Sequence, residues 1–225
     1  MPRTQRIGIL GGSFNPVHND HLALADEAKQ RLGLNRLLFI PNASPAYKDS
    51  VNVSYADRRY MLATALDDHH DKDFVIEDLE QDPACHHYTC ETLTKLRAQY
   101  GNDTALFFIM GSDSLLYIDE WREGLRLHTL ANLVCFTRRG FEHAPVKPLI
   151  QKLINEHASY DDDPSFNEHL NDPCGNILLI KKSLHELSSS RLRAEIKLQG
   201  KNSTLARQYM DAKVLSYAMQ KNLYD

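Results

Sequence analysis

Apolar residues fall along this chain in short compact runs, and between those runs they recur at the spacing of helices. Ile7–Leu10, Leu37–Pro41, Phe74–Asp78, Thr104–Gly111, Leu130–Arg139 and Asn176–Lys182 read as six strands, the fourth being the most apolar. His21–Leu32, Tyr55–Leu66, Thr89–Tyr100, Ser188–Leu198 and the amphipathic Leu205–Leu223 read as helices. A further helix lies within Glu142–His157, begun or interrupted by Pro148. Ser54 precedes the second helix, with Asp57 placed to reach back as a capping acid. Gly101 closes the helix before it. Strands alternating with helices of about a dozen residues predict an α/β fold, a parallel sheet with helices on both faces.

Composition narrows this picture. At 225 residues, with 42% hydrophobic and 25% charged, the chain suits one domain with a full core. No internal repeat is evident. Ser159–Gly175 is acidic, turn-rich and aperiodic, which predicts a solvated surface insertion at about 159–176. A net charge of −4 gives no general basic surface for nucleic acid. No run approaches the ~20 apolar residues of a membrane span. MPRTQR leads directly into the first strand, so no signal peptide is expected. Four cysteines without paired CxxC motifs are expected as reduced thiols in the cytoplasm. Cys85-His86-His87-x-x-Cys90 fits no familiar structural zinc spacing, so no metal is assigned to it.

The chemistry concentrates between Ile7 and His21. After the first strand come Gly11 and Gly12, which allow a sharp turn and close approach to a ligand. Ser13 offers a hydroxyl, Phe14 an apolar wall, and Pro16 stiffness. His18 and His21 share a face if a helix begins near Asn19. Strand, glycine turn, paired histidines and helix amino end together describe an anion site. Two further strand ends carry polar groups. Gly111-Ser112-Asp113 follows the fourth strand, and the only tryptophan, Trp121, lies eight residues beyond Asp113. From this stretch alone, Asp113 is either a ligand group or a helix cap, and Trp121 either a pocket wall or core. After the sixth strand, Ser188, Ser189 and Ser190 open a helix, and Arg193 supplies a fork suited to phosphate.

GGSFNPVHNDH resembles the G-[TS]-F-[DN]-P-x-H-x-G-H signature of nucleotidyltransferases related to the HIGH-motif aminoacyl-tRNA synthetases. Within that group the chain is most similar to the bacterial nicotinate mononucleotide adenylyltransferases. Asn15 stands where Asp is common, and Asp20 where Gly is expected. GSDSLLYIDEW resembles the family's G-x-D-x-L…W, and LSSSRLR its I-S-[SA]-T-x-[IL]-R, with Ser190 in the Thr place and Arg191 in a place that is often apolar. Ser44–Lys48 sits where P-P-H-K is common, Tyr47 replacing the His. His87-Tyr88-Thr89 resembles S-Y-T, and Arg138 with Arg139 falls at the place of a basic pair.

What the resemblance implies is a Rossmann-like nucleotidyltransferase fold carrying out adenylyl transfer, in which nicotinate mononucleotide attacks the α-phosphorus of ATP and pyrophosphate leaves. Gly11, Gly12, Ser13, Phe14, His18, His21, Gly111, Asp113, Ser188, Ser189, Ser190 and Arg193 would bind ATP. Of these, His18, His21 and Arg193 would act in catalysis. Lys48, Tyr88, Thr89, Trp121 and Arg138 would bind the mononucleotide, with backbone N–H groups at Tyr88-Thr89 reading the nicotinate carboxylate and Trp121 stacking on the pyridine ring. Mg²⁺ would accompany ATP. Two alternatives stand beside this reading. One is a related transferase using nicotinamide mononucleotide or another phosphate acceptor. The other is a nucleotide-binding protein whose catalysis is weakened by Asn15, Asp20 and Tyr47. The sequence leaves the oligomeric state open.

Overall fold

The computed structural model describes residues 4–43, 53–69, 71–137, 141, 144–181 and 187–224. Strands β1 (Arg6–Gly12), β2 (Arg36–Pro41), β3 (Phe74–Ile76), β4 (Ala105–Gly111), β5 (Asn132–Phe136), β6 (Ala158–Tyr160) and β7 (Ile177–Ile180) form one sheet among the described residues. Helices α1 (Asn19–Leu32), α2 (Tyr55–Asp68), α3 (Thr89–Tyr100), α4 (Ser112–Leu116), α5 (Pro148–His157), α6 (Ser189–Gln199), α7 (Thr204–Tyr209) and α8 (Ala212–Gln220) connect and follow the strands. The sheet is parallel, in the order β3-β2-β1-β4-β5-β7-β6. Ile9 faces Phe108, Ile109 faces Val134 and Val134 faces Leu178 across neighbouring strands. Consecutive residues of β2, β4, β5 and β7 are buried, so both faces of these strands are covered, as parallel sheets require. The strand order reverses direction at the β1–β4 pair, the kind of switch point at which such sheets bind ligands. The α/β reading of the sequence is thus the observed fold.

The chain divides into two compact units, one of Met1–Leu10, Ala28–Leu38 and His87–Leu184, the other of Gly11–Glu27, Phe39–His86 and His185–Asp225. In the first, Arg97 of α3 donates to the carbonyls of Leu130, Gly101, Thr104 and Pro173, tying three connections together. In the second, α8 lies on α2. Tyr217 donates to Asp57 at 2.8 Å and Tyr60 packs on the Tyr217 ring at 4.2 Å. Ser54 caps α2 as expected, accepting from the Asp57 amide and donating to its carboxylate.

Two expectations are corrected. The stretch 159–176 is not simply solvated: it contributes the edge strand β6, paired with β7, and a 3₁₀ turn, Pro164–Asn171, that buries Phe166 and Leu170. Asp163 opens that turn by accepting from the Ser165 amide. The last helix is two helices, because Asp211 accepts from the amides of Lys213 and Val214 and starts α8 afresh. His69, which follows α2, stacks on Phe74 at 4.9 Å and meets Asp26 at 3.0 Å. No helix of the described residues is long and apolar enough to cross a membrane.

Candidate active site

The turn after β1 is held in a conformation its sequence does not favour. Phe14 has φ of +45°, a left-handed backbone that costs a bulky residue about 1–3 kcal/mol. Its ring is buried between Phe39 and His21, at 5.8 and 5.2 Å between centroids. A Cβ on Gly12 would lie 3.4 Å from that ring, at ordinary contact distance, so the ring packs directly over the Gly12 backbone. Four side chains fix the strained turn from outside. Arg58 donates to the Ser13 carbonyl at 2.6 Å, and Arg193 to the Asn15 carbonyl at 2.7 Å. Ser189 donates to the Pro16 carbonyl at 3.1 Å, and Tyr224 to the Asn15 side-chain oxygen at 2.9 Å. The Asn15–Pro16 peptide is cis.

His18 and His21 follow at the start of α1, their ring centroids 3.9 Å apart. The His18 amide donates to Nδ1 of His21 at 3.2 Å, which makes that nitrogen an acceptor. In the neutral ring the proton then resides on Nε2, ready to be donated. Burial pushes the His18 imidazole down to about 4. Burial, and secondarily the neighbouring His18, holds His21 well below the ordinary value. Both rings are therefore neutral donors at neutral pH. Nδ1 of His18 is buried with no hydrogen-bond partner among the described residues. A buried polar atom left unsatisfied is uncommon and fits a surface built to meet a ligand.

The helix α6 adds the third part. Ser188 caps it, accepting from the Arg191 amide at 3.3 Å. Ser190 accepts from Arg193 at 3.0 Å. Two of the Arg193 nitrogens are thereby committed to Asn15 and Ser190, so its first task is to hold the turn. Arg191 is exposed.

The remaining expected residues lie in the other unit. Gly111 precedes α4, whose first turn carries the exposed Asp113. Trp121 is half-buried and meets Phe108 edge-on at 6.4 Å. Gly124 makes that placement possible: a Cβ there would stand 1.7 Å from the Ile118 carbonyl. Tyr88 stands at the amino end of α3 with no side-chain cap, and Arg122 lies over its ring at 4.7 Å. Helix amino ends without a cap leave N–H groups unmatched, here those of Thr89 and Cys90, because the Glu91 and Thr92 amides donate to the Tyr88 carbonyl. Lys48 and Arg138, with Tyr47 and Arg139, fall outside the described residues.

The structure therefore brings Gly12, Ser13, Phe14, His18, His21, Ser188, Ser189, Ser190 and Arg193 into one unit, and Gly111, Asp113, Tyr88, Thr89 and Trp121 into the other. Sequence reasoning missed Arg58, Tyr224 and the inward side of Asn15. A signal for Arg58 existed, because it occupies the helical face of Met61, Leu62 and Ala65.

The cytidylyltransferase-like family pattern matches residues 9–195. A protein of Syntrophotalea carbinolica named "probable nicotinate-nucleotide adenylyltransferase" is 35% identical over 190 residues, 84% of each chain. One of the same name from Shewanella putrefaciens is 33% identical, covering 97% of this chain and 99% of its own. Another, from Geotalea daltonii, is 34% identical and covers 98% of both. Among solved structures, the Plasmodium falciparum nicotinic acid mononucleotide adenylyltransferase complexed with NaAD has the same fold. Its TM-score is 0.72 at 20% identity, over 98% of both chains. With a match of this length and relatives this similar, the chain belongs to the cytidylyltransferase-like proteins and, among them, to the nicotinate-nucleotide adenylyltransferase family.

Proposed function

We propose that this protein transfers AMP from ATP to nicotinate mononucleotide and releases pyrophosphate. The observation that carries the reading is the phosphate turn, a strained loop pinned from outside with two neutral imidazoles beside it. An oxygen of the mononucleotide phosphate forms the new bond to the α-phosphorus, and the bond from that phosphorus to the β-phosphate bridging oxygen breaks. The phosphate nucleophile is mostly dianionic at neutral pH, with a second pKa of about 6, so no general base is needed. Catalysis reduces to alignment and to stabilising charge on the phosphoryl oxygens. His21, with its proton on Nε2, donates to those oxygens, and His18 acts beside it. Gly11, Gly12, Ser13 and Phe14 line the phosphates, Ser188, Ser189, Ser190 and Arg193 support them, and Gly111 with Asp113 receives the nucleoside. Mg²⁺ enters with ATP as part of that substrate.

On the acceptor side, Trp121 stacks on the pyridine ring, its exposed part being free to do so. The uncapped amino end of α3 supports recognition of the nicotinate carboxylate, since N–H groups and helix dipole both favour an anion there. An uncharged carboxamide gains less from the same groups, which favours nicotinate over nicotinamide mononucleotide. Lys48 and Arg138 belong to the same proposal as phosphate partners, as does a place in the cytoplasm. The test is steady-state release of pyrophosphate with ATP and each mononucleotide in turn. The expected result is turnover with nicotinate mononucleotide at a kcat/KM at least tenfold above that with nicotinamide mononucleotide. No turnover with either would refute the reading.

A further inference from the structure

Arg58 is fully buried on a face of α2 otherwise made of Met61, Leu62 and Ala65. An apolar side chain of similar volume would fill that position without the cost of desolvating a cation. The guanidinium is nevertheless there, and among the described residues no carboxylate accepts from it. Its donors go to four carbonyls: Ser13 at 2.6 Å, Asn42 at 2.7 Å, and Ala43 and Val53 at 3.2 Å. Asn42 and Ala43 follow β2 and Val53 precedes α2, so three of the four anchors are backbone at the ends of regular elements. The fourth is the peptide that enters the left-handed Phe14. A trans peptide is planar with C=O and N–H opposed. Holding the Ser13 carbonyl on the Arg58 side therefore turns the Phe14 N–H the other way.

We propose that Arg58 is a positioning residue for the phosphate turn: it orients the Ser13–Phe14 peptide and places an unmatched cation beside the loop that receives the polyphosphate. The proposal rests on the adenylyl-transfer reading and deepens it. Burial in a medium of low dielectric strengthens the attraction of such a cation for a polyanion. It also explains why a residue that never reaches the ligand is charged at all. A purely structural tie is the competing account, and Arg97 provides its control. That arginine also donates to four carbonyls, in the other unit, with no phosphate turn among them.

The experiment compares Arg58→Lys, Arg58→Met and Arg97→Lys at a temperature where circular dichroism shows each folded. It reads kcat, both KM values, melting temperature, and ATP affinity by calorimetry. Arg58→Lys keeps the charge but loses the fork. It is expected to fold, to lower kcat at least tenfold, to weaken ATP at least threefold, and to leave the mononucleotide KM within threefold. Arg58→Met, where folded, is expected to lose more of both. Arg97→Lys is expected to lower the melting temperature while leaving kcat and ATP affinity unchanged. A folded Arg58→Lys protein with the parental kcat and ATP affinity would overturn the proposal, and so would an Arg58→Lys protein that does not fold. A parent that binds ATP but transfers nothing refutes the adenylyl reading alone, because calorimetry still measures Arg58.

Discussion

The hydroxyl of Tyr224, the penultimate residue, donates to the side-chain oxygen of Asn15 at 2.9 Å, with both groups buried. The chain's carboxyl end thus fixes the residue that leaves the left-handed Phe14, as Arg58 fixes the one that enters it. A hydroxyl donor satisfies an Asp as well as an Asn at this position. We expect Tyr224→Phe to cost about 1 kcal/mol, the net worth of a buried hydrogen bond. For a chain of this size that lowers the melting temperature by about 2–4 °C. Asn15→Asp should fold and keep turnover within threefold, since Tyr224 can donate to the carboxylate and Arg193 lies beside it. Loss of activity in Asn15→Asp would show that the amide itself is needed.

His18 and His21 carry the second expectation. Each changed to Ala should lower kcat by about a hundredfold or more, the range for a lost charge-stabilising donor, with a smaller effect on ATP affinity. Their titration has a further consequence. Because the folded pKa of His18 lies at about 4, below its unfolded value, the unfolded chain binds the extra proton first as pH falls. Stability therefore declines from about pH 6.5 down to about pH 4, by on the order of 3 kcal/mol from His18. His18→Asn should flatten that decline, measured by denaturation from pH 7 to 4.5. An unaltered acid profile would mean that His18 is not buried neutral.

Trp121 gives a third test. It is half-buried and touches Phe108 by an edge, so replacement by Ala should leave the fold intact. The mononucleotide KM should rise at least tenfold with the ATP KM nearly unchanged, and nicotinate mononucleotide should quench the Trp121 fluorescence of the parent. Gly124→Ala should reproduce the KM effect without touching the indole, because the Cβ would collide with the Ile118 carbonyl and displace the turn. A Trp121→Ala protein that fails to fold would make this residue core instead.

The strands were legible because runs of apolar residues between turn signals have few other solutions. The turn itself falls on the left-handed Phe14, after Gly11 and Gly12 have ended β1. The edge strand β6 was not legible, since Ala158–Tyr160 is too short for any alternation to show and sits beside an acidic run. Phe166 and Leu170, four apart, were the trace of its buried turn. The pins on the phosphate turn were hidden for another reason. Three of them act through backbone carbonyls 45 to 178 residues away in sequence, and a carbonyl leaves no mark in a sequence. Only the misfit of an arginine on the apolar face of α2 pointed to them.

Asp20 is the remaining departure from the family signature, in a place where Gly is expected. The structure puts it, buried, in the first turn of α1, one residue before His21. Two effects oppose each other there. A carboxylate in the first turn favours the helix by about 0.3–1 kcal/mol. The same charge repels a polyphosphate held at that helix end, and in a partly screened site a pair of unit charges is worth on the order of a few kcal/mol. The second effect is the larger, so the charge should cost more in ATP affinity than it returns in stability. Asp20→Asn separates the two, because it keeps the size and removes the charge. We expect ATP to bind at least threefold more tightly and the melting temperature to fall by about 1–3 °C, as the loss of a helix-end charge implies for a chain of this length. Asp20→Gly should bind ATP no less tightly than Asp20→Asn but be less stable, because glycine in a helix costs up to about 1 kcal/mol more. If ATP affinity in Asp20→Asn equals the parent's while stability drops, the carboxylate serves the helix alone and its charge does not reach the phosphates.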